Sequence, residues 1–334
     1  MAEDNIECME KQIFISIIIP VYNAEQTIER TLSSIVNQDY KSIELIIVND
    51  CSTDNSQQIV NKFIDSVSTK IKCIEQPRNM GVASARNKGL ENAAGDYVYY
   101  VDADDTVENN TLKSMAAEAL KTDADIIGCE WNITLKENKR WIKQPSVSTP
   151  LEAFKEMCYG KLRWNLWLFM VKKEVYLKEN IQFIDDLNIG EDLMVMGKIF
   201  LSSKSISIIH TPLYNYNSVN SQSISKEKKD KYIQDVTSNL QELEYFAEKK
   251  SYNLDEYFAN LKLSIKYPLL MTNNKEDYIR WMNWFPEANK YINNNKSIAF
   301  RNKIIQTQAL KKNFWVLKLY HNLVFKFVYG ILYK

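Results

Sequence analysis

Gly95-Asp96-Tyr97-Val98-Tyr99-Tyr100-Val101-Asp102-Ala103-Asp104-Asp105 is the stretch whose reading decides the fold. Tyr97 to Val101 are aromatic or β-branched, the composition of a strand buried in a sheet. Three aspartates follow within four residues. Like charges that close repel one another, so their presence at a strand end points to a divalent cation or to a ligand with matching donors. An Asx-rich turn that caps the next helix uses the same residues. The stretch alone leaves both open.

Upstream, Ile13 to Ile19 is an almost unbroken apolar run ended by Pro20. It is too short for a helix and suits a strand buried on both faces, as in a parallel sheet. Val21-Tyr22-Asn23 reads as a turn, with Asn23 and Gln26 spaced as a capping box. Ile28, Leu32, Ile35 and Val36 then follow helical spacing. A second buried strand, Ile43 to Val48, runs into Asn49-Asp50-Cys51-Ser52. Asp54 is placed to cap a helix whose apolar stripe is Ile59, Val60, Phe63, Ile64 and Val67. Ile71 to Glu75 is a third strand, and Val82 to Ala94 a helix of small residues ended by Gly95. Strands and helices alternate, which predicts an α/β fold with a mostly parallel sheet flanked by helices. Ligands of such sheets bind beyond the carboxyl ends of the strands. Asn23, Asp50 and Asp102 to Asp105 all fall there.

Downstream, Leu112 to Lys121 reads as a helix, Asp125 to Leu135 as a strand and Leu151 to Tyr159 as a helix. Arg163 to Phe169 is aromatic-rich and leads to a basic helix start at Lys172-Lys173. Gly190-Glu191-Asp192 opens a further helix. Ile206 to Ile209 is a short strand, and Leu213 to Ser225 reads as a polar loop carrying Tyr214 and Tyr216. From about Lys226 the pattern is helical. These boundaries give an N-terminal extension (1–12), an α/β domain (13–225) and a helical C-terminal region (226–334). No internal repeat is present.

The 334 residues hold 42 Lys and Arg against 42 Asp and Glu, but the balance is uneven along the chain. No Asp or Glu occurs from Ala288 onward, where Lys and Arg recur to the last residue. A basic tail on an acidic body suggests an anionic partner. Five cysteines, an odd number with no CxxC pair, suggest reduced thiols in a cytoplasmic compartment. Two histidines argue against a His-built zinc site. The first twelve residues show neither the basic nor the apolar region of a secretory signal.

Taken together, PVYN (Pro20 to Asn23), VNDCSTD (Val48 to Asp54), NMGVASARNKGL (Asn79 to Leu90), GDYVYYVDADD (Gly95 to Asp105) and GED (Gly190 to Asp192) resemble, in order and spacing, the motifs of family 2 glycosyltransferases. These are inverting enzymes of the GT-A fold. The resemblance covers about residues 13 to 225 and implies a nucleotide-sugar donor bound by Pro20, Tyr22, Asn23, Asp50, Arg86, Asp102 and Asp104. It implies that Asp50 accepts the N3–H of a uracil, although Asn49 and Cys51 stand where the family usually has Asp and Gly. Asp102-Ala103-Asp104 matches the family's DXD motif, which implies Mn²⁺ or Mg²⁺ on Asp104 with Asp102 nearby. If the backbone there is extended, residues two apart face the same way. Arg86 either helps with the diphosphate, braces Asp102, or forms a salt bridge on a helix surface. Asp192 is the implied catalytic base, with Glu191 the alternative or an acceptor-binding group. The same two acids also suit a helix N-terminus. Trp164, Trp167 and Phe169 are candidates for stacking on an acceptor sugar, with a core role the plainer reading.

The QxxRW motif and the transmembrane helices of the family's processive synthases are both missing, so the resemblance implies transfer of a single sugar. The implied acceptor is a glycan or lipid-linked saccharide of a bacterial surface polysaccharide. In Phe314 to Lys334, Lys318, Asn322, Lys326 and Tyr329 form one narrow polar stripe on an otherwise apolar helix. This suggests peripheral contact with an anionic membrane at its cytoplasmic face. Docking on its own domain is the competing reading, and nucleic acid does not suit so broad an apolar face. Two other functions remain as alternatives. A nucleotidyltransferase should carry a Gly-rich basic loop after the first strand, which PVYNAEQT is not. A non-catalytic scaffold should have lost acids that are intact here.

Overall fold

The computed structural model describes residues 12–135, 138–218, 229–293 and 298–323. Ile15–Val21 (β1), Ile43–Asn49 (β2), Ile71–Glu75 (β3) and Tyr97–Tyr100 (β4) are four parallel strands in the spatial order β3-β2-β1-β4. Their apolar runs are continuous because both faces are covered: β1, β2 and β4 are buried almost throughout. Ile28–Val36 (α1), Ser56–Ser66 (α2) and Gly81–Asn92 (α3) supply the connections between them. Beside β4, Phe169–Lys172 (β8) runs antiparallel, so the parallel part of the sheet ends there. Ile126–Leu135 (β6) follows, then Ile206–Asn217 (β9), parallel to β6. Thr106–Val107 (β5) pairs with β9, and Asn138–Ile142 (β7) with β6.

Gly95 sets the entry into β4. A methyl added there would lie 2.6 Å from the Ser16 amide in β1 and 2.8 Å from the Phe14 carbonyl just before it, backbone atoms that cannot swing aside. Tyr97, Val98, Tyr99 and Tyr100 are then buried, each contributing about 1.5–3 kcal/mol of hydrophobic stabilisation.

Four sequence expectations need correcting. Asn23 has φ +49°, and no capping box forms there. Helix α1 begins at Ile28, and Asn23 Oδ1 accepts from the Thr53 amide. Lys172 does not open the helix, which starts at Lys173; it ends strand β8, because Phe169 to Val171 are buried between β4 and β6. The run from Leu213 is not loop as far as Asn217. It continues β9, whose register shifts against β6 between Cys129 and Trp131. Finally, Asp102 to Asp105 is a turn closed by the Asp105 amide on the Asp102 carbonyl, so strand alternation does not orient its carboxylates. Ser223 and residues 219–228 lie outside the described residues, as do 1–11 of the expected N-terminal extension and 324–334 of the terminal helix.

The chain divides into two compact units. One comprises residues 1–152 and 164–243, and carries the sheet together with Thr111–Thr122 (α4), Lys173–Lys178 (α6) and Glu191–Ser202 (α7). The other comprises 153–163 and 244–334. It holds most of Pro150–Cys158 (α5), the end of Lys229–Lys249 (α8), and Asp255–Lys266 (α9), Lys275–Asn283 (α10), Phe300–Leu310 (α11) and Phe314–His321 (α12). Lys266 is fully buried in this unit, where its ammonium donates to the carbonyls of Trp284 and Phe285 and to Asn289 Oδ1. No helix among the described residues is long and apolar enough to cross a membrane.

Candidate active site

The acidic turn after β4 is held from two sides. Thr27, just before α1, and Thr31 within it donate their hydroxyls to the Ala103 carbonyl at 2.9 and 3.0 Å, and Arg30 donates to the Asp104 carbonyl at 2.8 Å. From β9, the Tyr214 hydroxyl donates to Asp105 Oδ2 (2.8 Å) and accepts from the Asp102 amide (3.2 Å). The Asn217 amide donates to Asp105 Oδ1 at 2.7 Å. Asp105 is fully buried, and burial together with Asp102 and Asp104 drives its carboxyl well above the usual range. It anchors the turn from within. Tyr214 is a buried strand residue, with its ring stacked on Trp167 at 4.3 Å between centroids.

Arg86 lies at the centre of the site. It is 4% exposed and projects from α3. Its Nη1 donates to Glu191 Oε1 at 2.7 Å and to Asp192 Oδ1 at 2.6 Å, and its Nη2 to Asp102 Oδ1 at 3.2 Å. The reading of Arg86 as a brace for Asp102 therefore holds, and the surface salt bridge does not. Burial alone would disfavour its charge, but Asp192, Asp102 and Glu191 outweigh that and raise its pKa. One guanidinium thus ties the turn after β4 to the N-terminus of α7, whose two acids lie more than a hundred residues from Arg86 in sequence.

The surplus of negative charge shows in the acids. Burial, opposed by Arg86 and reinforced by Asp192 and Asp104, pushes Asp102 up to about 6, while 31% of its side-chain surface stays exposed. Glu191 is buried more deeply; burial and then the neighbouring Asp192 carry it up to about 8. An unshifted glutamate would be ionised at neutral pH, but Glu191 is held toward its neutral form. Asp192 Oδ2 accepts from the Leu166 amide at 3.3 Å. Gly190, at φ +80°, supplies the left-handed turn that starts α7 and places both acids in its first turn.

Asp50 is buried and caps α3 from the end of β2. Its Oδ1 accepts from the Met80 amide (2.7 Å) and Gln76 Nε2 (2.9 Å), and its Oδ2 from the Gly81 amide (2.8 Å). Burial raises its pKa and the two amides oppose that. Asn49 Oδ1 takes the Ser52 amide and hydroxyl, closing the turn in which Cys51 sits exposed at φ +55°. That angle accounts for the glycine usual there in the family the motifs resemble. Tyr22 is exposed and Pro20 half-buried at the end of β1. Asn23 is exposed, and its side chain braces Thr53. Phe169 and Trp167 are core residues; Trp164 is half-buried. Sequence reading missed Thr27, Thr31 and Asn217 and placed Tyr214 in a loop, because a hydroxyl or amide aimed at a distant turn leaves no local pattern.

Among the described residues no three His, Cys, Asp or Glu side chains converge as a metal cage. Asp102 and Asp104 are partly exposed carboxylates on one turn. Two hard-oxygen ligands suit an ion of the Mg²⁺ kind, which usually takes one or two carboxylates plus phosphate oxygens.

Residues 16–185 match the sequence profile described as Glycosyl transferase family 2. Among curated relatives, the uncharacterized glycosyltransferase EpsJ of Bacillus subtilis (strain 168) is 28% identical over 60% of this chain and 60% of its own length. The cholesterol galactosyltransferase of Borreliella burgdorferi is 32% identical over 63% of this chain and 62% of its own. The match thus spans less than two thirds of either relative. Among solved structures, S. aureus TarS 1-349 in complex with UDP-GlcNAc superposes with a TM-score of 0.70 at 20% identity, over 92% of this chain and 90% of that chain. At that identity the likeness establishes a shared fold.

Proposed function

The chain belongs to glycosyl transferase family 2, and from that premise we propose an inverting glycosyltransferase that moves one sugar from a UDP-sugar to a hydroxyl of a glycan or lipid-linked saccharide in surface polysaccharide synthesis. One observation carries the reading. Arg86 gathers Asp102, on the donor-side turn, and Asp192, at the start of α7, into one buried cluster.

In this reading Asp50 reads the base. A carboxylate has about four acceptor sites, and three backbone or amide donors occupy three of them. Oδ2 retains a site for the uracil N3–H. Asp104 and Asp102 would hold Mn²⁺ or Mg²⁺, which when bound would supply positive charge against the charge growing on the leaving diphosphate. Asp192 accepts the proton of the acceptor hydroxyl as its oxygen bonds to the anomeric carbon. The bond to the diphosphate breaks on the opposite face, and its electron pair leaves with the diphosphate. Glu191, kept neutral, donates a hydrogen bond toward the acceptor instead of competing as base. The curated relative whose named acceptor is cholesterol is consistent with a lipid-borne acceptor.

A panel of nucleotide sugars assayed for Mn²⁺-dependent release of nucleoside diphosphate tests this. Asp192→Asn should lower turnover by about 10²–10⁴-fold, the range for loss of a general base. Absence of turnover with every donor, or an Asp192→Asn enzyme as fast as the parent, would overturn the reading.

A further inference from the structure

The described part of the terminal segment, for which the sequence suggests membrane contact, carries an exposed apolar face. α12 docks by one side only. Leu317 is fully buried, Phe314 stacks on Tyr278 at 5.6 Å, and His321 Nδ1 lies 2.9 Å from the Met271 carbonyl. On the side away from Leu317, Trp315 is 70% exposed, Leu319 50% and Leu323 58%. At about 100° per residue these three fall within one arc, since each is four residues from the next. Lys318 is exposed on the same helix; Lys326 and Tyr329 of the expected polar stripe lie outside the described residues. The turn leading into α12 carries exposed Lys311 and Lys312. α11, the neighbouring helix, adds Phe300 at 79% exposed and Ile304 at 42%.

Large apolar side chains exposed together in this way mark an interaction surface. Its charge identifies the occupant. The sequence has no Asp or Glu from residue 288 onward, so no acid of this segment offsets Lys311, Lys312 and Lys318. A second copy of the chain docked about a two-fold axis would bring these lysines against themselves. Nucleic acid would meet the lysines but leave Trp315, Leu319 and Leu323 in water. A bilayer with anionic headgroups satisfies both parts: the apolar side chains enter the headgroup–acyl boundary, where Trp is favoured, and the lysine stems lie along it with their ammonium groups at the phosphates.

We propose that the outward face of α12, built from Trp315, Lys318, Leu319 and Leu323 with the basic turn at Lys311 and Lys312, docks on an anionic lipid bilayer. The proposal rests on the glycosyltransferase reading only for its purpose, delivery to a lipid-borne acceptor. Binding is measured without donor or acceptor, so either can fail alone.

The full chain is sedimented with vesicles of phosphatidylcholine, or of phosphatidylcholine doped with phosphatidylglycerol, at low and high salt. The expected result is sedimentation with the anionic vesicles only, reversed by salt. Trp315→Ser with Leu319→Ser should weaken vesicle binding at least about tenfold. Lys311→Glu with Lys312→Glu, on the exposed turn, should abolish the preference for anionic lipid even if the first variant folds poorly. Both variants should release nucleoside diphosphate as the parent does. No binding to anionic vesicles, or parental binding by the lysine variant, would overturn the proposal. So would a dimer of the parent that the Trp315/Leu319 variant dissociates.

Discussion

Replacing Arg86 tests whether the site is held together by one cation. The guanidinium serves two directions at once, Nη1 toward Glu191 and Asp192 and Nη2 toward Asp102. A lysine keeps the charge but has a single nitrogen, so it gives up at least one arm. A hydrogen bond to a charged group contributes about 1.5–3 kcal/mol. Taking the loss as the Asp102 arm, Arg86→Lys should cost roughly 2 kcal/mol, about a thirtyfold fall in kcat/KM if the displaced carboxylate serves the transition state. Arg86→Met goes further. It leaves buried acids with no cation and should lower folding stability by about 3–5 kcal/mol. The assay pairs urea unfolding with donor turnover measured per folded molecule. A purely structural arginine would lower stability and leave kcat/KM of the folded Lys variant unchanged. That result, or an Arg86→Met protein as stable as the parent, would refute the reasoning.

Three further outcomes follow from particular residues. Cys51 sits exposed at φ +55°, so Cys51→Gly should stabilise the protein by about 1 kcal/mol, read as a higher urea midpoint. Gly95→Ala forces a methyl onto the backbone of β1 and should cost about 1–3 kcal/mol in the same measurement. Burial and Asp192 raise Glu191 in the folded protein up to about 8 from the 4.5 of a free glutamate, so below about 4.5 its contribution to stability is fully present, and it is lost as pH rises through about 8. In metal-free buffer, stability should therefore fall between those pH values, and Glu191→Gln should flatten that slope; an identical slope in both proteins would contradict a neutral Glu191.

How much of this was legible in the sequence depends on the range of the signal. β1 and β2 are near-continuous apolar runs because both faces of a parallel strand are covered, so Asp50 and Asp102 could be placed at strand ends. Glu191 and Asp192 were recognisable as a pair behind a glycine. The geometry of the acid turn was not. Extended backbone was expected across Asp102 to Asp104, whereas a hydrogen-bonded turn forms, fixed by Thr27, Thr31 and Tyr214 from other elements. Strand β8 was hidden for a similar reason. Four residues ending in lysine carry no period of their own, and only burial between β4 and β6 makes them a strand. In LYNYN, the polar residues suggested loop. Asn215 and Tyr216 are paired to β6, and Asn215 is buried facing Asn132, so its polarity is satisfied inside the sheet. Arg86 was the hardest to place. Its partners are remote in sequence, and nothing local distinguishes a buried bridge from a surface salt bridge.

The charge balance of the cluster argues for a binding site over a structural network. A structural buried network is favourable only when every member is satisfied. Here one arginine faces three acids, with Asp104 and Asp105 close behind, and Arg86 Nε is buried with no hydrogen-bond partner among the described residues. Folding alone gains nothing from the excess carboxylates: Glu191 and Asp105 are pushed toward their neutral forms, and Asp102 is raised although part of it faces water. Replacing such a cluster with apolar residues of similar volume is often neutral or stabilising in proteins at large. The surplus makes sense when charge arrives from outside the chain. Asp102 and Asp104 keep exposed surface on the side where a cation and a diphosphate would neutralise each other. Asp192 is fixed by Arg86 and the Leu166 amide at the position where the proposed chemistry places its base. The departures from ordinary polar satisfaction therefore coincide with the positions where the proposed chemistry needs charge.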